Sequence, residues 1–274
     1  MNPGRIRPPA VAGMFYPGEP EKLKSMLSEL LGQEVSPDRA GAKAPKVLLV
    51  PHAGYIYSGR TAARAYASLI PFAAQIQRVV VLGPCHRAAV QGIALPASEA
   101  FLTPLGSVRI DQDAIAAIRA LPGVCVHPNA HALEHSLEVQ LPFLQTVLGD
   151  FSLVPLAVGD ADIATVSQVI EILWGGPETL FVVSSDLSHY HVYTDANAID
   201  TETIKEILAL CAEIVPEQAC GAFPLNGMLH VAAQRHLRPR LIERCNSGDT
   251  AGDKSRVVGY CSIAFDEDSD RAEH

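Results

Sequence analysis

Three histidines stand just beyond short apolar runs: His52 in PHAGYIYSG, His86 in LGPCHR and His189 in SSDLSHY. Imidazole is the commonest metal ligand and the usual acid or base near neutral pH. His52 and His86 lie in loops bearing Gly and Pro, which allow tight turns and close approach of a ligand to the backbone. Two imidazoles leaving neighbouring strands make a divalent-metal pair. Singly, each reads as well as a loop-capping histidine; together they point to metal. Asp186 and His189 are three apart, a spacing that faces both side chains the same way on a helical turn. A carboxylate there would fix the imidazole tautomer and raise its basicity, making His189 a general base or a ligand. The competing reading of Asp186 is a helix N-cap.

The segment HALEHSLEVQLPFL adds His131, Glu134, His135 and Glu138. Read as H-x-x-E-H, it matches an inverzincin pattern in which His131 and His135 hold zinc and Glu134 is the base. Only three of its five positions are fixed, so chance matches are frequent. The competing reading is a helix cap followed by the amphipathic run Leu137, Leu141, Phe143 and Leu144. Near the C-terminus, ERCNSGDTAGDKSRVVGY contains Asp249, which could complete a 2-His-1-carboxylate iron site, and Cys245, a softer candidate. No Walker or Rossmann glycine signature is present, so nucleotide binding has no support.

The elements that must position these residues alternate. Short β-branched runs predict strands over Val47 to Val50, Arg78 to Leu82, Phe151 to Val158, Leu180 to Ser184, Arg240 to Cys245 and Arg256 to Phe265. Helical patterns cover Glu21 to Leu31, Gly59 to Leu69, Gln112 to Ala120, Ser136 to Leu148, Ile163 to Trp174, Asn197 to Ile214 and Asn226 to His236. Apolar strands separated by such helices indicate an α/β protein with helices on both sheet faces. The last two strands, joined by a short loop, read as an antiparallel addition, which makes the sheet mixed. Open α/β sheets place their sites beyond the carboxyl ends of strands. His52, His86 and His189 all stand there, so convergence on one pocket is expected.

Composition bounds the rest. The chain has 274 residues, 48% apolar and 19% charged, which excludes intrinsic disorder. The balance of 21 basic against 30 acidic residues gives a net charge of −9, the wrong sign for a general nucleic-acid binder. The last nine residues, 266–274, hold five of the acids and one arginine, and read as a solvated, disordered tail. The polar stretch Gly32 to Lys46 reads as a connection within one domain spanning residues 1–274. No apolar run is long enough to span a membrane, and the N-terminus lacks the apolar core of a signal peptide. The six cysteines form no CxxC pair, so they read as reduced, mostly buried thiols of a cytoplasmic protein.

Eight stretches in the same order, RPPAVAGMFYPG, PHAGYIYSG, VVVLGPCH, LTPLGSVRID, EHSLEVQLPFL, FVVSSDLSHY, CGAFPLNG and VVGYCSIAF, resemble the Memo family, specifically AmmeMemoRadiSam system protein B. They run from about Arg7 to Phe265. The resemblance implies an αβα sandwich similar to class III, LigB-type extradiol dioxygenases, in which two His and one Glu bind non-haem Fe(II) and a further His is the base. By motif, His52 and His86 resemble the ligands and His189 the base, with Asp186 beside it. The block EHSLEVQLP becomes a pocket-side helix start, which brings Glu134 and His135 to the pocket. Some Memo proteins carry a Cys ligand before the last strand; an ungapped reading puts Thr250 there, and Asp249 is the preferred third ligand over Cys245. The implied function is a metal-binding protein, with Fe(II) first and copper second, that acts as an oxidoreductase on a small hydroxylated substrate. The alternative is a non-enzymatic binder of peptide or metal using the same pocket. Radical-SAM and AMMECR-type partners follow from the family name.

Overall fold

The runs VLLV, RVVVLGP, SLVPLAV and TLFVVS show no alternation of apolar and polar residues, the pattern of strands covered on both faces. They form the parallel spine of the structure, a computed structural model that describes residues 6–32 and 43–267. In chain order the elements are β1 (Ile6–Arg7), α1 (Pro20–Gly32), β2 (Val47–Val50), α2 (Tyr55–Ala67), β3 (Arg78–Pro84), β4 (Ile93–Leu95), β5 (Ala100–Thr103), β6 (Gly106–Arg109), α3 (Gln112–Ile118), β7 (Val124–Val126), α4 (Pro128–Ala132), α5 (Leu141–Leu148), β8 (Ser152–Val158), α6 (Ile163–Leu173), β9 (Thr179–Ser184), β10 (His189–His191), α7 (Tyr193–Leu208), α8 (Ala222–Gln234), β11 (Arg238–Asn246) and β12 (Val257–Asp266).

The central sheet has the order β10-β12-β2-β9-β3-β8-β4-β7, and β11 also pairs with β12. Strands β2, β9, β3 and β8 are parallel. Strand β12 runs antiparallel to β2, β10 and β11, so the sheet is mixed, as the sequence predicts. Helix α2 packs with α1 and α5, and α6 packs with α3 and α8, giving the αβα sandwich. A second, three-stranded sheet joins β1, β5 and β6; its strands are too short to show a period in the sequence.

Several expectations shift: α2 starts at Tyr55 and α8 at Ala222, each four residues before the expected Gly59 and Asn226. The helix expected over Ser136 to Leu148 starts as a 3₁₀ turn over Glu138–Gln140 before α5, because the groups of residues 134–140 bond to strand ends and Pro142 offers no N–H. The helix expected over Asn197 to Ile214 is α7, which stops at Leu208; Leu210 has a left-handed backbone (φ 57°). The tail expected from residue 266 does not include Asp266, which ends β12 with its carboxylate 3.4 Å from Arg240 Nε. Residues 268–274 and most of the polar stretch Gly32 to Lys46 lie outside the described residues.

The segment from His131 to Gln140 is tied to the N-terminal strand by buried charge. Glu138 is fully buried, and its two oxygens accept from Arg7 Nη1 (2.6 Å), Ala10 N (2.7 Å), Val11 N (3.0 Å) and Tyr16 O–H (2.6 Å). Arg7 also donates to the carbonyls of His131 and Glu134, each at 2.6 Å. A buried ion pair with every lone pair met is tolerated, but removing one partner strands the other. Glu138→Ala is expected to lower stability by about 3–5 kcal/mol in urea denaturation; a loss under about 1 kcal/mol would show that the network does not hold the segment.

Candidate metal centre

Parallel pairing turns strand ends into a common edge. Val50 is in register with Ser184, and β3 runs beside β9. His52, Asp186 and His86 each stand two residues beyond their strand, so the sheet brings them to one rim. There they line a cleft of about 930 Å³, together with His135, His189 and Cys220. The expected convergence of His52, His86 and His189 is what the fold produces.

The ring of His52 is buried, with its centroid 5.2 Å from that of His86 and 5.3 Å from that of His135. His135 stacks on His86 at 4.7 Å. Burial, with neighbouring imidazoles adding to it, holds His52 well below the usual imidazole range. Burial also lowers His135 to about 4, against the pull of Glu134. Crowded imidazoles that stay neutral offer lone pairs rather than charge.

Two sets of side chains bring one donor atom each within 4.8 Å of the others: His52, His86 and Cys220, and His86, Glu134 and His135. Hydrogen bonding separates them. Glu134 accepts from His86 Nδ1 (2.9 Å), His86 N (2.5 Å) and Ser136 N (2.9 Å). Burial would raise its pKa, but these bonds and the imidazole beside it bring it down to about 2. Its oxygens are committed, so it supports His86 rather than standing free as a base. A carboxylate only accepts, so His86 Nδ1 carries a proton, and in the neutral ring Nε2 holds the lone pair, the arrangement of a carboxylate–histidine–metal triad. The first set therefore has the open donors. Cys220 Sγ is 3.2 Å from His52 Nε2, and burial pushes its thiol up to about 12.

Cys220 was not singled out by residue spacing. It precedes α8, where Gly221 N donates to Ser185 Oγ at 2.8 Å. A Cβ on Gly221 would lie 2.7 Å from that of Ser185, so glycine lets this turn close on the end of β9 and carry the thiol to His52. The only sequence signal is the Cys-Gly pair directly before an apolar helix.

Other expected residues are placed differently. Asp186 does not pair with His189: its Oδ1 accepts His52 N at 2.7 Å, and it also accepts Ala53 N. Residues 185–188 form no helical turn, and His189 opens β10 opposite Val258. Burial raises Asp186 to about 7 against those two bonds. His189 lines the cleft half-buried, and burial lowers its pKa. Asp249 is not in either donor set; its oxygens accept Tyr193 O–H (2.6 Å) and Asn246 N (3.0 Å) within a capping box. Cys245 Sγ is 3.0 Å from Thr61 Oγ1, and Thr250 Oγ1 bonds to Ser247 O. The H-x-x-E-H zinc reading lacks its helix: α4 ends at Ala132, His131 Nε2 bonds to Ala94 O at 2.8 Å, and His135 lies beyond the helix.

The family model described as Memo-like protein matches residues 7–264. A MEMO1 family protein of Methanopyrus kandleri is 37% identical over 279 residues, covering 94% of this chain and 98% of its own. MEMO1 family proteins of Archaeoglobus fulgidus and Aquifex aeolicus are each 36% identical, covering 95% of this chain and 99% of their own. The crystal structure of an uncharacterized protein from Escherichia coli K12 shares the fold alone, with a TM-score of 0.51 at 14% identity over 80% of this chain and 98% of its own.

The low pKa values of His52 and His135 make a direct prediction. In the metal-free protein, NMR signals of both rings should stay at their neutral positions as pH falls from 8 to 5.5. A midpoint near the ordinary imidazole value of about 6.5 for either ring would contradict the buried, neutral site.

Proposed function

The chain belongs to the Memo-like protein family, and from that premise we propose that it is a metal-binding protein whose donors are His52 Nε2, His86 Nε2 and Cys220 Sγ. The observation that carries this reading is the 3.2 Å approach of Cys220 Sγ to His52 Nε2 within the donor set shared with His86. Two imidazoles and a thiol are borderline to soft donors, which suit reduced copper or zinc. Fe(II), which the dioxygenase resemblance implies, is better matched by two imidazoles and a carboxylate, and Asp249 is committed elsewhere. The donor set therefore moves the proposal from iron towards reduced copper.

A bound redox-active ion would supply the electron transfer that an oxidoreductase requires. The cleft beside the donors has room for a small hydroxylated substrate. His189, neutral and half-buried on its wall, is suited to take a proton from that substrate, and His135 packs edge-on against His52 on the same wall of donors. A second reading, binding of peptide or metal without turnover, is favoured by the aromatic wall of Phe15, Tyr57, Tyr190 and Tyr260 around the same cleft. Oxygen uptake by metal-loaded protein with a panel of catechols separates the two. Uptake that His189→Ala abolishes while metal is retained supports the enzyme.

Elemental analysis of protein purified without oxygen should find about one copper or other transition-metal ion per chain. His52→Ala and His86→Ala are expected to lose most of it, and Cys220→Ser to weaken binding at least tenfold. Full occupancy in the double His52/His86 variant would sink the assignment. Because the Cys220 thiol holds its proton at neutral pH, metal must displace that proton. Affinity should therefore rise about tenfold per pH unit between pH 6 and 8, and Cys220→Ser should flatten the slope.

A further inference from the structure

Tyr66, Gln140 and Ser184 are buried polar residues that touch no part of the cleft. They form one hydrogen-bonded chain that ends on His52. Tyr66 O–H donates to Gln140 Oε1 at 2.8 Å. Gln140 Nε2 then donates to Pro51 O (2.9 Å) and Ser184 Oγ (2.8 Å). Pro51 O can only accept, so it fixes the amide nitrogen on its side and turns Oε1 towards Tyr66. Ser184 receives the amide hydrogen and sends its own to Ser136 O at 2.6 Å, another group that can only accept. What remains on Ser184 Oγ is a lone pair, 3.0 Å from His52 Nδ1.

Each donor in this chain has one place to go, and the last hydrogen must come from the imidazole. We infer that Gln140 and Ser184 are positioning residues that hold His52 as the Nδ1–H tautomer and so present a bare Nε2 to Cys220 and to a metal. The opposite tautomer would set two lone pairs against each other in a buried site and leave Ser184 one hydrogen bond short, a costly defect away from water. Glu134 does the same for His86 through a different acceptor, so both candidate ligands receive their tautomer from the segment 134–140 and the strand end it touches. The inference rests on the metal-site reading only for the purpose of the tautomer; the tautomer itself is a property of the metal-free protein.

The test reads both nitrogens of each imidazole in ¹⁵N-labelled, metal-free full-length protein by two-bond proton–nitrogen correlation, with His52 assigned from a His52→Asn variant. The expected spectrum has a protonated Nδ1 and an unprotonated Nε2 on His52. Ser184→Ala should give a mixture of tautomers and weaken copper(I) binding by about tenfold or more. A bare Nδ1 in the parent protein overturns the inference, and this holds even where Ser184→Ala fails to fold. A single unchanged tautomer with unchanged affinity in folded Ser184→Ala overturns it as well. The expected tautomer in a parent protein that binds no metal would leave the positioning role standing and remove the metal reading instead.

Discussion

The candidate site depends on one buried carboxylate. Glu138 draws Arg7, Tyr16 and two backbone N–H groups of the N-terminal segment onto the turn that follows α4. With that turn pinned, its neighbours reach the ends of three parallel strands at once. Ser136 Oγ donates to Pro84 O at the end of β3, Ser136 O accepts from Ser184 of β9, and Gln140 reaches Pro51 beyond β2. A Cβ on Gly83 would come within 2.7 Å of Ser136 Oγ, so the glycine in β3 lets the turn lie this close. The segment acts as a bracket across the edge of the sheet, and the histidines hang from that edge.

Burial sets the protonation of the site in one direction. His52 and His135 are held neutral, and the Cys220 thiol keeps its proton. The single strongly ionised group among them, Glu134, is saturated by three donors and serves His86. Such a pocket repels a free proton and offers uncharged nitrogen and sulfur, which is the electrostatic description of a transition-metal site rather than of a Mg²⁺ or Ca²⁺ site built from oxygen.

Much of the architecture was legible because the relevant signals are local. Unbroken apolar runs mark strands covered on both faces, and β2 and β9 appear where the pattern places them. A histidine two residues past such a strand emerges at its carboxyl end, which accounts for His52 and His86; His189 reaches the same cleft from the start of β10. The short strands of the small sheet left no period to read. The pairing of Asp186 with His189 failed because three-residue spacing implies a shared face only on a helix, and residues 185–188 form no helical turn. Asp249 satisfied the chemistry of a third ligand but was already engaged in a cap.

The sequence by itself determined the α/β class, the family resemblance and the identities of the histidine pair, since each rests on order along the chain. The tertiary structure alone brought Cys220 into one donor set with His52 and His86, and bound Glu134 to His86. Cys220 stands 168 residues from His52 in the sequence, and a thiol's proximity to an imidazole across that separation leaves no periodic trace. Tautomers depend on which lone pairs and hydrogens meet in three dimensions. The acceptors that face the two rings, the Glu134 carboxylate at His86 and the Ser184 hydroxyl at His52, meet them only through the fold, from residues 48 and 132 positions away.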